Sequence, residues 1–302
     1  MTTIFDIPGT NPPNPFTTPT QTYLSNPHDD HAASTASELI AIVTTSSDPS
    51  SSLFYLWDAF FTSVVHVPST TPNSFTPHLI LLSAIRAHKA TKPTQLIPGS
   101  DRERTLHASG HLQPDGHFHW SKLPLFPAQW GDTHDIIQDW RSWDGVRSSG
   151  VTTDGKPADF YLRFLTFSAV MLGQTAKASE IHPVNVFYAA RGVLEREGKG
   201  EEEKRGLDVH QLWELDVRAT AVWLRYAARR LWDMDGEQLR GAGYDRTLDS
   251  GTDLWGEGEG LKRERWVLWR DRLEVFEGEV QDAETKEEVR EARKVVDGLL
   301  GE

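Results

Sequence analysis

The segment Leu53-Phe54-Tyr55-Leu56-Trp57-Asp58-Ala59-Phe60-Phe61-Thr62-Ser63-Val64 decides the fold class. Counted from Leu53, the apolar residues Leu56, Trp57, Phe60, Phe61 and Val64 fall three, four, seven, eight and eleven places on. That spacing follows the 3.6-residue helical turn and lays one apolar stripe along an amphipathic α-helix. Such a stripe is buried only against other elements, so its neighbours should carry stripes of the same kind.

Towards the N-terminus they do so only from about Ala32, where Ala36, Leu39, Ile40 and Val43 share a face. Residues 1–30 contain Pro8, Pro12, Pro13, Pro15, Pro19 and Pro27 among Thr and Asn. Proline fixes φ and removes a backbone donor, so 1–30 is predicted as an extended or disordered arm and 31–302 as a helical domain. Phe5, Ile7, Phe16 and Tyr23 are the side chains able to pin that arm. Towards the C-terminus, Thr76-Pro77 reads as an N-cap followed by proline in the first turn, opening a helix through Leu79, Leu82 and Ile85.

Residues 91–127 then interrupt the pattern with Pro93, Pro98, Gly99, Gly110, Pro114, Gly116, Pro124 and Pro127. Helical spacing resumes near Thr133, with Ile136, Ile137, Trp140 and Trp143. After a Gly/Asp-rich turn at 151–157, Phe160 to Gln174 is apolar nearly all round, as expected of a helix buried inside a bundle. His182-Pro183 opens a helix through Phe187, Tyr188, Ala190, Val193 and Leu194, and a charged link follows from Gly198 to Gly206. Leu212 to Trp232 reads as a long helix whose alanines admit a close neighbour. Asp235 to Gly260 reads as a glycine-rich loop. Two closing helices carry Trp266, Trp269, Leu273 and Phe276, then Val289, Ala292, Val296 and Leu299. Strand-type alternation is weak throughout, and no solenoid repeat period is found. The expectation is an all-α fold: a single large multi-helix bundle with a proline-rich N-terminal arm and long loops.

Composition narrows the function classes. The chain has 302 residues, enough for one large domain or two closely packed ones, and 38% of them are hydrophobic. Its formal charge of −13 repels phosphate backbones and anionic lipid, and the basic runs Lys262–Arg265 and Arg270–Arg272 are interleaved with Glu264 and Asp271. Neither a nucleic-acid nor a membrane partner is expected. No cysteine is present, which excludes disulfides, thiolate metal sites and cysteine nucleophiles. Residues 1–14 lack the pattern of a secretory signal, so a cytoplasmic or nuclear location is expected.

Several pieces occur together in order: Leu56-Trp57 followed by Pro68; His119-Trp120-Ser121-Lys122-Leu123-Pro124; the apolar segment Asp159 to Gln174; and Ala190-Arg191-Gly192-Val193-Leu194-Glu195. Ala221 to Leu231, Leu254-Trp255-Gly256 and, above all, Arg265-Trp266-Val267-Leu268-Trp269-Arg270 complete the set. In this order the pieces resemble a family of ascomycete proteins known as domain of unknown function 3632, over roughly Leu53 to Leu299. The resemblance implies a fungal, all-helical fold. It implies no activity and transfers no catalytic residue. The glycine/aspartate loop before Trp255 and the histidine-rich stretch before Trp120 depart from it.

Three constellations are candidates for chemistry. His107, His111, Asp115, His117 and His119 could in principle close a metal sphere, but their spacing matches no established signature. A His-rich surface loop is the preferred reading, with no metal and no cofactor expected; His119 should be partly buried. Tryptophans could wall a pocket for an apolar small molecule. Trp57, Trp223, Trp266 and Trp269 lie on apolar stripes and read as core, whereas Trp120, Trp130 and Trp255 lie on turn-rich segments where sites more often form. Arg191 and Arg225 sit on otherwise apolar helices and need acidic partners such as Asp58, Asp159, Glu195 or Asp216, or else face an anion in a cavity. With Tyr226 they complete the pocket candidates. No phosphate-binding loop, dinucleotide fingerprint or nucleophile elbow is present. The function expected is a helical binding or interaction protein, engaging an apolar small molecule or a protein partner. The alternatives are a cofactor-free isomerase or cyclase acting in that pocket, and a metal-dependent enzyme at the histidines.

Overall fold

The computed structural model describes residues 14–142, 157–174, 180–199, 208–234, 236–256 and 260–302. Among these residues the backbone forms thirteen α-helices, two short 3-10 turns and no strand. A single antiparallel bridge joins Thr91 to Phe118. No helix among them is long and apolar enough to cross a membrane. The all-α expectation holds. The chain divides into two compact units, the first holding residues 1–141 and 145–164, the second 142–144 and 165–302.

The first unit opens with α1 (Thr17–Ser25) and α2 (Asp29–Thr45). The arm predicted as extended for 1–30 is therefore helical over Thr17–Ser25 and again from Asp29; residues 1–13 lie outside the described residues. Pro19 is tolerated because it falls in the first turn, where backbone N–H groups have no intrahelical partner. The pinning side chains then take over: Phe16 and Tyr23 are buried. Asn14 donates to Tyr55 O at 2.8 Å and to Asp58 Oδ2 at 3.2 Å.

The stripe of residues 53–64 forms α3 (Pro49–Val65), with Asp48 accepting from Ser51 N as its cap. Leu53, Leu56, Trp57, Phe60, Phe61 and Val64 are all buried, as their spacing requires. A 3-10 turn, Pro72–Phe75, leads into α4 (Thr76–Ala87). Thr76, expected to cap that helix, is instead its first residue, and Phe75 holds the cap position without a side-chain bond.

Within the segment predicted as broken, α5 (Asp101–Ala108) forms because Ser100 caps it from Glu103 N while Glu103 reaches back to Gly99 N. A second correction concerns α6 (Phe126–Trp140), which begins at Phe126 rather than near Thr133. Pro127 had suggested a break, but it occupies the first turn. Trp143 lies outside the described residues. The start of α7 (Pro157–Gln174) completes this unit. Its core is aromatic, with Trp57 and Phe126 edge-on at 5.0 Å and Phe61 5.6 Å from Phe164. The Trp57 indole N–H donates to Pro124 O at 2.7 Å, within a turn where Leu123 and Leu125 both adopt left-handed backbone angles, φ 43° and 68°.

The second unit contains the end of α7, α8 (Val184–Leu194), α9 (Val209–Trp232), α10 (Gly236–Gly241), α11 (Asp245–Asp249), α12 (Arg263–Glu279) and α13 (Ala283–Leu300). Asp208 and Gln211 cap α9 reciprocally, and Asp282 caps α13. Two short helices, α10 and α11, thus occupy the predicted glycine-rich loop. α9 packs chiefly on α13 and α8, while α12 packs on α13 and α8. A Cβ built on Gly173 of α7 would overlap the carbonyl oxygen of Tyr226 on α9, so the two backbones cross in direct contact. Trp266 and Trp269 are both buried and share a face of α12, their rings 4.8 Å apart.

Candidate functional site

In the first unit, α3 and α6 leave an open groove of about 350 Å³ lined by Phe54, Gln129, Asp132, Asp135 and Ile136. Phe54 lies off the apolar stripe of α3 and stays 38% exposed, so the groove gains an aromatic wall. Gln129 is only 2% exposed. Its backbone N–H serves the helix, bonding Leu125 O, and its carbonyl accepts from Thr133 Oγ1 at 2.7 Å. Its side-chain amide has no hydrogen-bond partner among the described residues, although the groove reaches it. Asp132 and Asp135 are exposed along the same helix and have no lysine or arginine partner among the described residues. The Asp135 carboxylate lies 3.3 Å from His134 Nδ1. Burial lowers the His134 pKa, with Asp135 opposing, so this imidazole is uncharged at neutral pH.

The histidine segment is arranged differently. His107 belongs to the last turn of α5, and its Nδ1 lies 3.1 Å from Leu112 O. His117 Nδ1 contacts Asp115 O at 2.8 Å, and His119, half-buried, contacts Asp115 Oδ2 at 2.8 Å. The bond from His119 is the main reason the Asp115 carboxyl is held below its usual range. Burial alone lowers His111. Among the described residues no three His, Cys, Asp or Glu side chains converge as metal ligands would.

The second unit holds a fully buried ion pair that the sequence did not announce. Arg265 and Glu195 are both 0% exposed and form a two-armed pair, Nε to Oε1 at 2.6 Å and Nη2 to Oε2 at 2.8 Å. Trp269 Nε1 also donates to Oε1 at 2.8 Å, and Thr252 Oγ1 to Oε2 at 3.0 Å. The remaining guanidinium arm donates to Gly260 O and Leu248 O, and the group lies 4.7 Å from the Phe187 ring centre. Each carboxylate oxygen accepts twice, so a charge pair that would be costly if left short of partners is satisfied. Arg265 had been read only as the end of a basic run interleaved with Glu264 and as the first residue of the family-like motif Arg265–Arg270. The available signal was its spacing from Trp269, four residues on, along the apolar stripe of α12.

The other pocket candidates are scattered. Trp120 is fully buried and bonds Thr91 Oγ1 at 2.8 Å, and Trp130 stacks on Phe164 and His134. Arg191 donates to Ser250 Oγ at 2.8 Å and Gly251 O at 3.1 Å rather than to a carboxylate. Trp255, 9% exposed, belongs to the same loop and faces Arg265 at 5.2 Å; its indole N–H is buried without a partner. Arg225 pairs with Glu288 at 2.9 Å and lies 5.1 Å from the Tyr226 ring centre. Of the acids proposed as partners for these arginines, Glu195 goes to Arg265 and Asp58 binds Asn14. None of the six residues Trp120, Trp130, Trp255, Arg191, Arg225 and Tyr226 lines the α3–α6 groove.

Fold and site together define an all-α protein, without a strand among the described residues, that has a closed internal ion-pair network in one unit and an open, acid-rimmed groove in the other. It belongs to the family described as protein of unknown function DUF3632, whose model matches residues 57–273, more than two thirds of the chain. The matched span contains Trp57, Pro124, Glu195, Arg265 and Trp269. Neither the curated proteins nor the solved structures yield a match to this chain.

Proposed function

We propose that the chain is a non-catalytic helical binding protein and that the groove between α3 and α6 is its ligand seat. The observation that carries this reading is Gln129, whose unpartnered amide lies at an otherwise buried position lining the groove. The Gln129 amide opens onto the groove rather than onto another protein group, so a ligand group entering the groove would meet an amide free to bond to it. A cofactor-free enzyme would instead need an ionisable side chain free to act. Glu195, the buried carboxylate nearest the tryptophans of α12, is engaged on both oxygens. Glu195 is therefore not available as the acid or base of such an enzyme. A fungal source and a cytoplasmic or nuclear location belong to the same proposal.

A small-molecule fragment screen on the full chain, read by nitrogen-15 NMR, tests it. Hits should move the Gln129 side-chain amide together with the backbone of Ile136 and Phe54. Hits confined to other residues, or chemical turnover of any fragment, would overturn the reading.

A further inference from the structure

If the α3–α6 groove is the ligand seat, we propose that it takes a small organic cation, an ammonium or guanidinium carried on an apolar body. Four features of the lining support that class. Phe54 lines the groove and stays 38% exposed, and a cation is drawn to the face of such a ring by its quadrupole. Asp132 and Asp135 place two carboxylates on the same rim, one helical turn apart on α6. Ile136 and the Phe54 ring give the apolar body something to rest on. Gln129, only 2% exposed as a residue, presents to the groove an amide with no partner among the described residues, and its carbonyl oxygen is able to accept an N–H from the ligand.

One positive group lies near, Arg141, whose charge helps to lower the His134 pKa. Burial keeps His134 neutral at neutral pH, and its ring is stacked on Trp130 at 5.2 Å. Arg141, the next guanidinium along the chain, is engaged with Gln138 O and lies 5.7 Å from the Tyr161 ring centre. An anionic ligand would meet two carboxylates on the rim, where the lining itself holds no cation. A bare divalent ion would leave the two apolar walls unused and would want six or more oxygens, which these residues do not supply. The volume of about 350 Å³ falls at the lower end of small-ligand sites, about 300–1,000 Å³, which suits a compact ligand.

The test uses the full chain and three probes of one shape: phenethylammonium, phenethyl alcohol and phenylpropionate. Binding is followed by calorimetry and by the Gln129 side-chain amide signal. Phenethylammonium should move that signal saturably and bind at least about tenfold tighter than either control. The preference should shrink in Asp132→Asn/Asp135→Asn, and binding should weaken in Phe54→Ala, both changes being at exposed positions. Added salt should weaken the ammonium probe more than the alcohol. Equal binding of the alcohol, or calcium or magnesium moving the same signal as strongly, would overturn the cation assignment while leaving the groove as a seat. Silence of the Gln129 signal to every probe would overturn both the assignment and the seat.

Discussion

Arg265 reaches Glu195 with two parallel hydrogen bonds although the residues are seventy positions apart, and both side chains are sealed from water. The pair ties α12 to the end of α8, with Trp269 and Thr252 completing the acceptor shell of the carboxylate. Breaking one side of such a pair leaves a buried charge alone, at a cost of about 3–5 kcal/mol. Arg265→Met should therefore lower unfolding free energy by that order in a denaturant titration. Glu195→Leu/Arg265→Met together should cost less than the sum of the single changes, because no charge remains stranded. Strict additivity would show the pair to be uncoupled.

Trp57 and Pro124 supply a second test. Trp57→Phe keeps a ring among Phe60, Phe61 and Phe126 but removes the only donor reaching Pro124 O from that side chain. The expected loss is about 1–3 kcal/mol, the combined effect of an orphaned carbonyl and a small void. A melting temperature equal to that of the parent chain would show the hydrogen bond to be dispensable to the left-handed turn at Leu123 and Leu125.

His78 sets a pH dependence. It is buried 3.2 Å from Ser63 Oγ, and burial lowers its pKa to about 4, against 6.5 for a free imidazole. Well above pH 6.5 the ring is neutral in folded and unfolded chains alike, and it exerts no effect. As pH falls towards about 4, the unfolded chain takes up a proton that the folded chain refuses, so stability drops by about 3 kcal/mol from this group. The unfolding free energy of the parent should fall more between neutral pH and about pH 4 than that of His78→Gln, by about 3 kcal/mol. Identical slopes would remove His78 from the acid response.

Gly173 makes the opposite point to helix propensity. Alanine normally stabilises a helix by about 1 kcal/mol over glycine. Here the added methyl would meet the Tyr226 carbonyl, on a backbone that cannot yield as a side-chain end can. Overpacking of this kind costs about 1–3 kcal/mol, so Gly173→Ala should destabilise the protein in thermal unfolding. A raised melting temperature would mean that α7 and α9 separate at no cost.

Periodicity carried much of the fold. The stripe of 53–64, the apolar run 160–174 and the paired tryptophans of α12 are local statements, since 3.6-residue spacing fixes a face before any partner is known. The helices at Thr17–Ser25 and Asp101–Ala108 and the early start at Phe126 escaped, because proline and glycine were read as breaks where they occupy first turns or caps. Of the groove, the sequence held one legible sign: Phe54 is a large aromatic off the stripe of its own helix. The amide of Gln129 gave none, since its burial depends on how α6 lies against α3.

By itself, then, the sequence determined the all-α class, the buried face of α3, the burial of Trp266 and Trp269, and the family. Each follows from side-chain spacing within one element or from ordered local motifs. The tertiary structure alone decided that Arg265, not Arg191 or Arg225, meets Glu195, and that Gln129 is left without a partner beside a groove. Those outcomes depend on which faces of distant helices meet, and the cost of a buried charge or amide is set by partners that spacing along the chain does not specify.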